Sequence, residues 1–368
     1  MSATAPVASA PVAWLGAPSP FGLALPDAAP TPSTLYAPRG VCLTGEALVV
    51  ADTGNHRVLI WREPAALADH APADVVLGQP DMLSEGPGLL HVPTGVLVHD
   101  GRLLVADAWH HRILVWDELP AHSDAVPDMV LGQDDLSGTG EGCGPQRFYW
   151  PFGIALAGGA FWVADTGNRR VLGWLGGVPE PGQGADVLLG QPDLTSRGEN
   201  RDGPVAADSL RWPHALAQAA GMLAVADAGN HRVLCWHLPV EEGCPADAVL
   251  GQPDFETAVE YPYRPQGPSA MRFPYGLAAR GAQLFIADTS NNRVLVVDDL
   301  GAAITAEPQG AAADAVIGQP DMDANGENRW AAVTADSLCW PYGLAVHGEL
   351  LAVADSGNNR VVLWSVPA

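Results

Sequence analysis

The stretch ADTGNHRVLIW, residues 51–61, places a carboxylate, an imidazole and a guanidinium around one short turn. Asp52 and His56 are side chains of the types that carry acid–base catalysis, and Arg57 could stabilise a developing negative charge. The stretch could therefore be a catalytic site, or it could be a structural element that holds two strands together. The number of times that it occurs decides between these two hypotheses.

The arrangement occurs six times, and the aspartate and the arginine are always five residues apart. A catalytic pair would not be needed six times in one chain. A structural pair would be, because the aspartate can accept hydrogen bonds from the turn amides and from the arginine fork in every repeat. We therefore predict structural roles for six pairs: Asp52 and Arg57, Asp107 and Arg112, Asp165 and Arg170, Asp227 and Arg232, Asp288 and Arg293, Asp355 and Arg360.

The residue before each repeat arginine varies, which makes it a better candidate for function than the pair itself. In chain order this residue is His56, His111, Arg169, His231, Asn292 and Asn359. The Gly-Asn dipeptide of the turn is expected to supply the positive-φ positions.

Each repeat also predicts four short β-strands. It opens with a Pro-x-Gly start such as WPFGIAL, continues through the two apolar runs around the turn, and ends in a segment such as DVVLGQPD. These short apolar runs are bounded by Gly, Pro, Asn and Asp, and nothing in the chain keeps a helical period for three turns. Six copies of a four-stranded antiparallel sheet predict an all-β fold, the six-bladed β-propeller.

The sixth repeat stops after its third strand, and residues 12–19 supply a matching segment, VAWLGAPS. Pairing this segment with the last blade would remove open sheet edges and close the ring. We expect residues 1–11 to be a flexible tail and residues 12–368 to form a single propeller. The predicted blades span about residues 36–81, 92–135, 150–193, 212–254, 273–321, and 340–368 together with 12–19.

The D-x-G-N-x-R-V motif after a short apolar strand resembles the NHL-repeat family, and the LGQPD strands are similar to a bacterial subgroup of that family. The resemblance extends over nearly the whole chain from Val12. It implies a six-bladed ring with a central channel. It also implies a protein-binding or RNA-binding platform, and related six-bladed propellers include amidating lyases and lactonases that use metals near the channel.

The formal net charge of −24 argues against a nucleic-acid partner. All 18 basic residues are arginines and six of them belong to the repeat pairs, which leaves twelve against 42 acidic residues to form the clustered positive charge that phosphates require. The lack of lysine also excludes Schiff-base chemistry on a lysine side chain.

We expect a cytoplasmic protein with no membrane partner. The N-terminus lacks the basic and apolar regions of a secretory signal, and no apolar run approaches the ~20 residues of a membrane span. The five cysteines are odd in number and lack C-x-x-C spacing, which is typical of a reduced protein. The sequence gives no indication of the oligomeric state.

The sequence requires no cofactor, but calcium and zinc are possible. Asp321, Asp323, Asn325 and Gly326 match the first positions of a calcium loop, although Ala332 stands where a bidentate glutamate is needed. A zinc site would need three histidines on one face. The candidates are His56, His111, His214 and His231. The alternatives are a solvated acidic loop and a single buried imidazole at position 214.

The residues after the blade-opening prolines should lie near the channel mouth, on the face that carries the repeat turns. They form an unequal ring of Arg39, Thr94, Phe152, His214, Tyr275 and Tyr342. Trp109 replaces the glycine of one turn, and Trp330 ends a long loop. Because exposed tryptophan is enriched at interface hot spots, both are candidate binding residues unless they fold back onto neighbouring loops.

We therefore predict a rigid binding scaffold that docks a protein partner on its long-loop face. The candidate binding residues are Trp109, Trp330, Arg39, Phe152, His214, Tyr275 and Tyr342. The alternative hypothesis is a metal-dependent lyase or hydrolase with its site at the channel mouth. That hypothesis requires three histidines, or several carboxylates, to converge on one point, and it is the less favoured of the two.

Overall fold

The computed structural model describes residues 9–17 and 29–367, whose strands form six sheets arranged as the blades of a propeller. Each blade begins at its inner strand, which lines the channel, and antiparallel neighbours follow outwards. Blade 1 contains β2 (Gly40–Leu43), β3 (Ala47–Asp52), β4 (Arg57–Arg62) and β5 (Val75–Leu77), and blade 2 contains β6 (Pro93–His99), β7 (Arg102–Asp107), β8 (Arg112–Trp116) and β9 (Met129–Leu131). Blade 3 contains β10 (Pro151–Ala157), β11 (Ala160–Asp165), β12 (Arg170–Trp174) and β13 (Val187–Leu189), and blade 4 contains β14 (Pro213–Ala219), β15 (Met222–Asp227), β16 (Arg232–His237), β17 (Ala248–Leu250) and the added strand β21 (Gln309–Ala311). Blade 5 contains β18 (Pro274–Arg280), β19 (Gln283–Asp288), β20 (Arg293–Val297) and β22 (Ala315–Ile317), and blade 6 contains β23 (Pro341–His347), β24 (Leu350–Asp355), β25 (Arg360–Ser365) and β1 (Ala10–Leu15).

The repeat turn connects the second and third strands of each blade and forms one short 3₁₀ helix. These helices are Thr53–Asn55, Ala108–His110, Thr166–Asn168, Ala228–Asn230, Thr289–Asn291 and Ser356–Asn358. The expectation that Gly-Asn supplies the positive φ is wrong, because the left-handed residue is the variable one that follows, such as His56 at φ 55°. Gly54 is required for a different reason: a Cβ there would lie 2.5 Å from Cδ1 of Tyr36.

The core of the molecule consists of six apolar layers, one between each pair of adjacent blades. Every blade is too thin to bury both faces alone, so each sheet is stabilised by its neighbours. The tryptophans four residues after the repeat arginines are buried in these layers, as their position in the third strand predicts. They are Trp61, Trp116, Trp174, Trp236 and Trp364.

The predicted closure of the ring is confirmed. Strand β1 pairs antiparallel with β25, and Leu15 lies opposite Val361. Leu15 is fully buried in the apolar layer between blades 6 and 1. Residues 1–8 of the predicted tail and residues 18–19 of the closing segment lie outside the described residues.

An insertion in blade 5 departs from the simple repeat. It contains helix α1 (Leu300–Ala306), which begins after Asp299, whose side chain accepts a hydrogen bond from the backbone of Ala302 at 2.9 Å. Strand β21 then pairs parallel with β17, so blade 4 has five strands. The helix makes only two turns, too few for the sequence periodicity to reveal it. None of the described helices has the length and apolar character needed to cross a membrane.

Candidate functional site

The repeat aspartates and arginines lie buried beneath the turns and hold each blade together. In blade 3, Oδ1 of Asp165 accepts the backbone N–H of Tyr149 at 2.7 Å, and Oδ2 accepts from Asn168 and from Arg170 Nε, both at 2.8 Å. The remaining arginine nitrogens donate to loop carbonyls, including that of Leu194 at 2.7 Å. All six pairs have this buried geometry. Each pair is therefore hydrogen-bonded within its own blade, although Nη1 of Arg360 has no partner among the described residues.

The variable residue before the repeat arginine connects its blade to the next one. Nδ1 of His56 accepts the backbone N–H of Val92 at 3.1 Å, across the boundary between blades 1 and 2. Burial lowers the pKa of the histidines at these positions, which keeps them in the neutral, accepting form. The other acceptor–donor pairs are His111 with Trp150, His231 with Phe273, Asn292 with Trp340, and Asn359 with Ala37.

Blade 3 breaks this pattern, because its variable residue is Arg169. Arginine has no acceptor, so it cannot receive the N–H of Trp212. Trp212 lacks the left-handed conformation that its five counterparts adopt. Its carbonyl accepts a hydrogen bond from the first turn residue, Ala228, at 3.0 Å. In the other blades the second turn residue donates to the carbonyl of the residue before the left-handed one, as Gly54 does to Tyr36 at 2.8 Å. The boundary between blades 3 and 4 is therefore built differently from the other five.

A cavity of about 310 Å³ opens on the turn-bearing face beside this boundary. We call it the aromatic cavity. Its lining residues come from the turns of blades 2 and 3, from the segments that lead into blades 3 and 4, and from the channel ring. They are Arg39, Ala108, Trp109, Tyr149, Trp150, Phe152, Thr166, Gly167, Arg169, Trp212, His214 and Tyr275.

The floor of the aromatic cavity is the ring of residues that follow the blade-opening prolines. Tyr275 stacks on Tyr342 at 4.8 Å between ring centroids, and His214 lies 4.3 Å from Tyr275 and 4.4 Å from Phe152. The guanidinium of Arg39 completes the ring, 4.8 Å from the centroid of Tyr342. These contacts narrow the channel at this level to a space of about 80 Å³. The sixth member, Thr94, is buried and donates its hydroxyl to the carbonyl of Phe152 at 3.0 Å.

The polar residues of the floor differ in charge. Nδ1 of His214 lies 2.9 Å from the carbonyl of Trp212, so Nδ1 carries the proton and Nε2 is the acceptor. Burial lowers the pKa of His214 to about 3, so its ring is neutral. Arg39 is the positive group of the floor. At the wall, Arg169 faces Glu199, with 3.5 Å between nitrogen and oxygen.

Tryptophans form the rim of the aromatic cavity. The rings of Trp109 and Trp150 are nearly parallel, with an interplanar angle of 14° and centroids 6.2 Å apart. Trp109 is 50% exposed and Trp150 is 40% exposed. Trp212, on the opposite wall, has the guanidinium of Arg211 5.0 Å from its ring centroid. The sequence pattern singled out Trp109 but not Trp150, Trp212 or Tyr149. The available signal was the position of Trp150 and Trp212 directly before a blade-opening proline.

The structure brings some predicted site residues together and leaves others apart. Trp109, Arg39, Phe152, His214 and Tyr275 line one cavity, and Tyr342 stacks beneath it. Trp330 lies outside this cavity, 78% exposed at the end of the 3₁₀ helix Glu327–Trp330.

The predicted metal ligands do not converge on a common site. Within residues 9–17 and 29–367, no three histidine, cysteine or acidic side chains are placed to hold one ion. Three of the candidate histidines, at positions 56, 111 and 231, lie at different blade boundaries and already accept backbone N–H groups. In the candidate calcium loop, Oδ1 of Asp321 accepts from the backbones of Asp323 and Ala324, at 3.0 and 2.9 Å. That geometry forms a local turn.

Comparisons with known proteins agree with this architecture. Residues 35–61 match the family model described as NHL repeat. A curated relative, NHL repeat-containing protein 2 of Gallus gallus, is 25% identical over 362 residues, which cover 90% of this chain. The chain spans only 46% of that relative's length.

Two solved structures share the fold at low sequence identity. A structural genomics protein of unknown function from Bacteroides thetaiotaomicron aligns with a TM-score of 0.54 at 12% identity, over 97% of this chain and 75% of its own. Kuenenia stuttgartiensis hydrazine synthase aligns with a TM-score of 0.50 at 14% identity, over 89% of this chain and 95% of its own. At such identities the likeness concerns the fold alone. The matched repeat, the relative and the six-bladed ring together confirm the resemblance to the NHL-repeat family that the sequence motif indicates.

Proposed function

We propose that this propeller is a rigid binding scaffold that docks a protein partner on its turn-bearing face. The observation that carries the proposal is the half-exposed pair of Trp109 and Trp150 at the rim of an open cavity of about 310 Å³. Tryptophan dominates interface hot spots because a large rigid ring loses little conformational entropy when it is buried.

The six buried Asp–Arg pairs and the blade-to-blade hydrogen bonds support a rigid frame. They hold the backbone beside the rim in place, so a partner would meet a preformed surface and would not have to order it. The free state of all five cysteines supports the reducing, cytoplasmic location that the sequence predicts. The alternative metal-dependent enzyme gains no such support, because the described residues bring no three metal ligands together.

Site-specific photo-cross-linking tests this proposal. A benzophenone amino acid replaces Trp109 in one variant and Leu175 in the control, because Leu175 is an exposed apolar residue, at 54%, that does not line the cavity. We expect a discrete protein adduct from position 109 in the source cells and none from position 175. Equal adducts from both positions, or none from position 109, would remove the support for docking on this face.

A further inference from the structure

The floor of the aromatic cavity contains a positive charge that the protein leaves unpaired. Among the described residues, no carboxylate lies within 4 Å of the Arg39 guanidinium, and no hydrogen bond from it is found. Even exposed arginines elsewhere are paired, such as Arg102 with Asp117 at 3.2 Å and Arg147 with Asp134 at 2.7 Å. Three other arginines also lack a carboxylate partner, but they donate to backbone carbonyls: Arg62, Arg264 and Arg280. In a chain with a net charge of −24, a guanidinium that has neither kind of partner among the described residues is an exception that needs a reason.

The contacts of Arg39 leave its hydrogen-bond donors free. Its guanidinium carbon lies 4.8 Å from the ring centroid of Tyr342 and 5.9 Å from that of Phe152, so the aromatic rings contact the group through its face. Face contacts use none of the five N–H donors, which point outwards in the plane of the group. His214 adds no second positive charge to the floor, because its ring is neutral.

The walls above Arg39 suit a planar ring. Trp109, Trp150 and Trp212 present flat apolar surfaces, and the cavity volume of about 310 Å³ is at the small end of the range for ligand sites. Aromatic walls alone would also attract an organic cation. The guanidinium of Arg39 in the floor opposes a cation and favours an anion, whereas the charge of Arg169 in the wall is already paired with Glu199.

We propose that the aromatic cavity binds an aromatic carboxylate, with the ring against the tryptophan walls and the carboxylate accepting hydrogen bonds from Arg39. Two sources share this chemistry: a free aromatic acid, and the C-terminus of a polypeptide that ends in an aromatic residue. The proposal goes beyond the scaffold role, because it requires the floor of the cavity and not a protein docked on the rim.

Isothermal titration calorimetry with four simple probes tests the proposal on the unmodified protein. Phenylacetate has both the ring and the charge, 2-phenylethanol has the ring alone, 2-phenylethylamine carries the opposite charge, and acetate lacks the ring. We expect phenylacetate to bind with one-to-one stoichiometry and at least about tenfold more tightly than 2-phenylethanol, since a charge-assisted hydrogen bond is added. Acetate and 2-phenylethylamine should not saturate the site.

Two arginine variants locate the binding site. Arg39→Gln should weaken phenylacetate binding at least about tenfold, and the control Arg102→Gln, far from the cavity lining, should leave it unchanged. Near-UV circular dichroism and the melting temperature establish whether Arg39→Gln is folded. If Arg39→Gln is not folded, it is replaced by Arg39→Lys, which keeps the charge and should retain measurable binding. The probe series on the unmodified protein tests the proposal independently of these variants.

A peptide pair distinguishes the two sources of the ligand. N-acetyl-Gly-Phe with a free carboxylate should bind more tightly than phenylacetate, and its C-terminal amide should not bind, if a chain terminus is the natural ligand. The reverse order of affinity would indicate a free acid. The proposal is overturned if 2-phenylethylamine binds as well as phenylacetate, if folded Arg39→Gln keeps full affinity, or if neither phenylacetate nor the peptide saturates the site by about 10 mM. These outcomes do not depend on the cross-linking result, so failure of this proposal can be distinguished from failure of the proposed scaffold function.

Discussion

At the scale of single residues, the buried repeat pairs and the cavity residues should respond to substitution in opposite ways. Asp165→Ala leaves the guanidinium of Arg170 buried without its counter-charge, which costs about 3–5 kcal/mol. We expect the free energy of unfolding, measured by denaturant titration, to fall by about that amount. The binding affinity of the protein that remains folded should not change. Loss of binding at an unchanged melting temperature would show that Asp165 has a functional role.

Trp330 provides a second test at this scale, because the chain contains a structural counterpart of its loop. Residues Asn328 and Arg329 have positive φ, as do Asn200 and Arg201 in the 3₁₀ helix Glu199–Asp202. The residue that corresponds to Trp330 in that helix is Asp202, so the loop conformation does not require a tryptophan. Trp330→Asp should therefore change the free energy of unfolding by less than about 0.5 kcal/mol in a denaturant titration. A loss well above 1 kcal/mol would mean that the ring is packed onto its neighbours.

At the scale of the blade, the connecting histidines make stability depend on pH. Burial lowers the pKa of His56, His111 and His231, and that of His214 falls to about 3. The unfolded chain, with histidine pKa values near 6.5, therefore binds more protons than the folded protein below that pH. Stability should be greatest above pH 6.5 and decline as the pH falls below it, with each histidine contributing up to about 1.4 kcal/mol per pH unit.

His231→Asn isolates one of these contributions, because Asn292 and Asn359 make the same hydrogen bond in blades 5 and 6. We expect the variant to match the unmodified protein in denaturant titrations at pH 7.5 and to exceed it at pH 5.5. If the variant and the unmodified protein differ in free energy of unfolding by the same amount at both pH values, protonation of His231 does not couple to folding.

The blade is also the scale at which the sequence was most informative. Short apolar runs, turn residues and a sixfold motif predicted the strands, the six blades and the closing strand. They could not reveal that the residue before the repeat arginine bonds to the following blade, because that contact depends on a left-handed conformation and on the ring geometry. For the same reason, the positions of Trp150 and Trp212 before their prolines did not reveal that both residues line the cavity. The seven-residue helix α1 was missed because it is too short to show a period.

At the scale of the whole molecule, ring closure depends on a few buried side chains of β1. Leu15 is fully buried, whereas Val12 on the same strand is 57% exposed. Leu15→Ala should lower the free energy of unfolding by about 2–5 kcal/mol, and Val12→Ala should change it by less than about 0.5 kcal/mol. Chemical denaturation of the two variants measures the contrast. Equal effects would mean that the strand does not contribute to stability through its buried face.

The proposed binding site lies where the ring departs from its repeated arrangement. Five of its boundaries share one backbone arrangement, and the boundary between blades 3 and 4, with Arg169 in place of an acceptor, has another. The aromatic cavity lies beside this exception. The molecule thus combines a repeated, buried frame with one unequal region on its turn-bearing face, which is where we place binding.

The most direct test of this account is the dissociation constant of the cross-linked partner for the double variant Trp109→Ala/Trp150→Ala. We predict binding at least about tenfold weaker than that of the unmodified protein, since hot-spot truncations cost about 2 kcal/mol or more. Because both side chains are partly exposed, the melting temperature should change little. Unchanged affinity in the folded double variant would contradict the assignment of the binding surface to this rim.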